Sequence, residues 1–117
     1  MFYKKVRDTA YTTLATANAL GDPGGIASGC EGMAHMAAQV ESAAADPLRA
    51  VRLLAAANAL RTAIDLPLPP AEHSHYYGQN LTTLRQALGD SAFEEAWAVG
   101  QALAVKQVVA EVLASVT

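Results

Sequence analysis

A single cysteine, Cys30, excludes an intramolecular disulfide and a cysteine-based zinc site. Proline (5) and glycine (8) occur without a run of either, which excludes a collagen-like or generally disordered chain. No stretch reaches the roughly 18 consecutive apolar residues that a membrane span needs. The N-terminal MFYKKVRDTAY lacks the apolar core of a signal peptide. Eight Lys and Arg against eleven Asp and Glu leave a net charge of −3, so bulk electrostatics do not favour nucleic acid. Also missing are G-x-x-x-x-G-K-[ST], G-x-G-x-x-G and G-x-S-x-G. Gly21 to Gly25 has neither the strand nor the lysine of a phosphate loop.

What the chain does have is apolar material. Hydrophobic residues are 52% of 117, with 26 alanines and 13 leucines. That composition suits one small, alanine-rich helical domain over residues 1–117, expected in the cytoplasm. The helix punctuation is local and readable. Gly21-Asp22-Pro23 stops one helix and starts the next, with glycine as the left-handed stop, aspartate as N-cap and proline in the first turn. Asp46-Pro47 repeats the start, and Pro69-Pro70 opens a helix after the extended Ile64–Leu68. Leu88-Gly89-Asp90 repeats the stop and start. Ser91 and Glu94 have capping-box spacing, with Asp90 the other choice of cap.

Between these marks the apolar residues recur at helical spacing, and nothing alternates as a strand would. Six helices are predicted, about 3–20, 23–43, 47–64, 70–88, 91–103 and 105–116. Their apolar stripes include Leu14 and Ala17 on the first; Ile26, Cys30, Met33, Ala34 and Ala37 on the second; and Ala50, Leu53, Leu54, Ala57, Leu60 and Ile64 on the third. They continue with Tyr77, Leu81, Leu84 and Leu88, then Phe93, Ala96, Trp97 and Gly100. The last helix carries Val105, Val108, Val109, Val112 and Val116. Leu14–Leu20 matches Leu54–Leu60 at six of seven positions, offset by 40, the period of a two-helix repeat. Gly25, Gly29, Gly32 and Met36 line one flank of the second helix. Each interior glycine costs roughly 1 kcal/mol against alanine, which close approach of a neighbouring helix would offset.

Few residues offer chemistry. Cys30 sits on an apolar stripe and reads as a small hydrophobe. Glu31 and His35, four apart, suit an ordinary helix-surface pair. Glu72-His73-Ser74-His75 is the most ligand-like cluster. Yet His73 and His75 diverge by about 200° within a helix, so a solvated surface is expected. Arg49, Arg52 and Arg61 read as a solvated face opposite the leucines. No nucleophile–base or metal-ligand spacing emerges, so no catalytic, cofactor or metal residue is assigned. The rival reading is a small metal-binding or enzymatic helical protein using His35, His73 and His75.

Three pieces taken together resemble a known family. They are Gly21–Ala27 with Glu31–Ala34; Asp46–Ala57 with Leu60-Arg61; and Leu66–Glu72, followed by Leu88-Gly89-Asp90, Ala92-Phe93 and Ala96–Gly100. Over about Ala10 to Ala114 the chain resembles the C-terminal tetratricopeptide-like (MalT-like) helical region of large bacterial regulators. Those regulators carry a signal-transduction NTPase, often with a LuxR-type helix-turn-helix or a nucleotide cyclase. The resemblance implies an all-α fold of antiparallel helix pairs in a solenoid fragment, and no catalytic residue. It departs at Ala104, where a Ser or Thr cap is usual before the last helix. An excised segment of a regulator, or a stand-alone derivative, inherits neither ATPase nor DNA-binding activity. The expectation is a non-catalytic interaction or regulatory module with a protein, peptide or small-effector partner. A homodimer through the first or last helix is also expected, with Trp97 as a core anchor.

Overall fold

The structure, a computed structural model, describes residues 2–38, 46–66 and 78–115. Every element among them is a helix: α1 (Phe2–Leu20), α2 (Pro23–Ala37), α3 (Pro47–Ala63), α4 (Gly78–Leu88), α5 (Asp90–Ala102) and α6 (Val105–Ser115). The second helix thus ends at Ala37 within the described chain, and the expected start of the fourth lies outside it.

The helix ends follow from local chemistry. Gly21 takes φ 68°, and the Gly21 and Asp22 N–H groups return to the carbonyls of Asn18 and Ala17. This paired return satisfies the orphan carbonyls at the end of α1. Asp65, at φ 52°, does the same for α3, with Asp65 N–H to Thr62 and Leu66 N–H to Arg61. The two stops are offset by 44, although the repeat is offset by 40. Where α1 meets Gly21, the second copy has Arg61 and continues one more turn. At the start of α3, the Asp46 carboxylate accepts from the Arg49 N–H at 3.1 Å, ahead of Pro47.

Two expected caps differ. The N-cap of α5 is Gly89, at φ 82° and with no side-chain cap, instead of Asp90 or Ser91. Arg85 takes both Asp90 and Glu94, which removes the capping box. At the start of α6, Ala104 has no capping oxygen, and its N–H donates to Gln107 Oε1 at 2.9 Å. That is the backward half of a capping box, supplied from the third helical position.

Packing makes α3 the centre. It lies against α2 on one side and α5 on the other, with α1 outside α2. Its expected stripe is buried at Ala50, Leu53, Leu54 and Ala57, and burial extends to Val51 and Ala55. Those two widen the covered arc to about 200° of the helix. Close approach explains the width. A Cβ at Gly100 of α5 would overlap the Arg52 carbonyl oxygen and lie 2.8 Å from Ala55 Cβ. Likewise a Cβ at Gly29 would lie 2.6 Å from Leu14 Cβ, so the small flank of α2 seats α1. All five predicted core residues of α2 are buried. The last helix returns to α1, α2 and α3, and Val108 and Val109 are buried there. Two of the five valines expected on an exposed end are therefore covered within the chain.

Candidate functional site

Three polar clusters among the described residues join the helices, two of them between side chains 30 or more residues apart and the third across the Gly89 joint. The first surrounds Arg61. Its Nε donates to Glu31 Oε2 at 2.7 Å and its Nη2 to Glu31 Oε1 at 2.8 Å. Nη2 also meets Ser28 Oγ, and Nη1 the Leu66 carbonyl, both at 3.1 Å. Arg61 is buried, which corrects the expectation of a solvated arginine face. The guanidinium fork matches a carboxylate in two parallel bonds and ties α2 to the end of α3. Arg52, more exposed, pairs with Glu111 of α6 at 3.3 Å.

The second cluster holds His35. The spacing suggested a local Glu31 contact; the buried Asn80 of α4 hydrogen-bonds His35 Nδ1, with its Nδ2 at 3.1 Å and its Oδ1 at 3.3 Å, and the imidazole tautomer sets which group donates. This ties α2 to α4. His73 and His75 lie outside the described residues. Among the described residues, no three of His, Cys, Asp and Glu come together as metal ligands. Cys30 is buried, and desolvation, with a smaller contribution from the Glu31 charge, pushes its thiol up to about 12. Such a thiol is protonated and inert near neutrality.

The third cluster opens to solvent. Gly89 alone separates α4 from α5, so the two meet at a one-residue corner. A groove of about 720 Å³ lies there, with Leu81, Arg85, Asp90, Phe93, Glu94 and Trp97 in its lining. Arg85 Nη1 donates to Asp90 Oδ1 at 3.1 Å, and Nη2 to Glu94 Oε1 at 3.0 Å. These two bonds raise the guanidinium's pKa above its ordinary value. The Arg85 Cζ stands 4.2 Å from the centre of the Phe93 ring, within cation–π range. Phe93 stacks on Trp97, with centroids 6.0 Å apart and planes 16° from parallel.

Trp97 differs from expectation. Phe93 is buried, whereas Trp97 is half-buried and packs against the edge of the core. It is a wall of the groove more than an anchor. The spacing reading put Phe93, Ala96, Trp97 and Gly100 on one stripe and did not use the neighbouring one. Asp90 and Glu94 are four apart, as are Phe93 and Trp97, so acidic and aromatic stripes run side by side along α5. That pairing was the available signal. Arg85 carried none, because its partners lie across the Gly89 joint.

None of the three clusters presents a nucleophile beside a base. No helix among the described residues is long and apolar enough to cross a membrane. Compared with known proteins, the chain matches no family model, no curated protein and no solved structure.

Proposed function

We propose that this chain is a non-catalytic interaction module, a short tetratricopeptide-like stack of the kind that bacterial signalling or transcriptional regulators carry. In this reading α1–α2 is an antiparallel pair on one side of α3, and α5, joined to α4 through Gly89, packs on the other. The observation that carries it is the α4–α5 groove, with its half-buried tryptophan and charged rim. An aromatic wall only partly covered by its own chain is the chemistry that protein interfaces favour at their centres. The other charged clusters are consumed in tying helices together. The resemblance to regulator C-terminal regions supports the same reading. Self-association through α1 or α6 belongs to the proposal, and monomer mass up to near-millimolar concentration in sedimentation equilibrium would remove that part.

A peptide-display selection against the purified chain tests the groove. Selected peptides should lose binding to Trp97→Ala while the circular dichroism of the variant stays helical. Selection of no peptide, or of peptides indifferent to Trp97→Ala, would overturn the assignment.

A further inference from the structure

Resting on that reading, we infer that the α4–α5 groove takes an amphipathic helix of a partner protein, with aliphatic residues on the aromatic wall and a lysine or arginine at Glu94. The form of the partner follows from the surface. Every described element is a helix, and the groove is lined by two of them, the setting in which an amphipathic helix lays down its apolar face. A helix satisfies its own backbone and needs only a groove between two others. Its reach is set by α4, whose 11 residues span about 16 Å, or three turns.

Charge decides the sign. The groove lining contains one cation, Arg85, and two carboxylates, Asp90 and Glu94. The side chains of Asp90 and Glu94 are 82% and 62% exposed, against 44% for Arg85. An approaching chain therefore meets a rim of net charge −1 whose most accessible groups are acidic. The site also displays how it holds a cation, since Arg85 lies over Phe93 with its nitrogens on Asp90 and Glu94. Trp97 and Glu94 repeat that combination of aromatic and carboxylate one turn further along α5. Arg85 engages Glu94 through Oε1, and a carboxylate accepts several hydrogen bonds. A visiting ammonium or guanidinium beside Trp97 completes the second half of the pattern.

Trp97 is the only tryptophan and reports directly. A model helix of leucine and lysine is titrated into the full chain while Trp97 fluorescence is followed, beside matched leucine–glutamate and leucine–glutamine helices. The leucine–lysine helix should give a saturable, one-to-one shift that neither of the others matches. Glu94→Gln should weaken it by about two- to fivefold, the range of a partly exposed ion pair. Arg85→Gln, which removes the competing cation, should tighten it. A variant that merely damages the α4–α5 corner weakens binding in both cases, so the opposite signs separate recognition from misfolding. Glu95→Gln, outside the groove lining, should change nothing. If the neutral or acidic helix binds as tightly, the cationic assignment fails while the groove reading stands. If no helix moves the Trp97 signal, both fail.

Discussion

Arg61 grips both oxygens of the Glu31 carboxylate, at 2.7 and 2.8 Å, although the two lie 30 residues apart in sequence. With side chains only 10% and 15% exposed, the pair sits where an unpartnered charge is costly. Arg61→Ala should lower the unfolding free energy by about 3–5 kcal/mol, because it strands Glu31. Replacing both residues with methionine should recover most of that loss. Urea unfolding measures each, and a single-variant loss below about 1 kcal/mol would mean that water reaches the pair.

Gly100 is where α5 touches the backbone of α3. An added Cβ there meets the Arg52 carbonyl, which cannot move aside. Gly100→Ala should cost about 1–3 kcal/mol of stability despite alanine's better helix propensity. Gly24→Ala is the control, because its Cβ would meet the flexible end of Leu66 at 3.0 Å and Asp22 Oδ1 at an ordinary 3.6 Å. Its cost should stay within about 1 kcal/mol, again by denaturant unfolding.

The buried Cys30 thiol gives alkaline stability a definite sign. In the unfolded chain the thiol ionises near its ordinary value of 9.0, and in the fold only near about 12. The folded chain therefore holds the proton that the unfolded chain releases. Its contribution is whole below pH 9 and is lost as pH rises toward 12. The stability difference between the wild type and Cys30→Ala should shrink over that window. A thiol reagent at pH 8 should label the native chain slowly and the urea-unfolded chain rapidly.

Phe93 and Trp97 share one stack but not one burial. Phe93→Ala should cost about 3–5 kcal/mol, as truncation of a buried aromatic does. Trp97→Ala should cost roughly half as much, in proportion to the area that its own chain covers. Thermal or urea unfolding of the two variants ranks them, and the reverse order would place Trp97 in the core.

How much was legible in the sequence varied with the range of the interaction. The α2 stripe and the Asp46-Pro47 start depend on residues within a turn or two, and both emerge from spacing alone. Burial of Ala55 depends on α5 docking about 45 residues later in the sequence, so helical periodicity undercounts the core of α3. Arg61 looked like a surface cation because its partner lies on another helix. The same holds for His35, whose partner is Asn80 instead of the neighbour four residues away. Ala104 offers no forward cap, and the bond to its N–H comes back from Gln107. In the groove, spacing displayed both stripes of α5, but the cation that joins them comes from α4.

The α4–α5 groove is the surface proposed to engage a partner helix. The most direct measurement is a map of backbone amide shifts in the labelled chain as the leucine–lysine helix is added. The account predicts that the perturbed amides cluster over 81–97, around Arg85, Glu94 and Trp97, while those of α1 and the first turns of α2 stay in place. Perturbations centred on α1 and α6, or scattered evenly over the acidic surface, would contradict it.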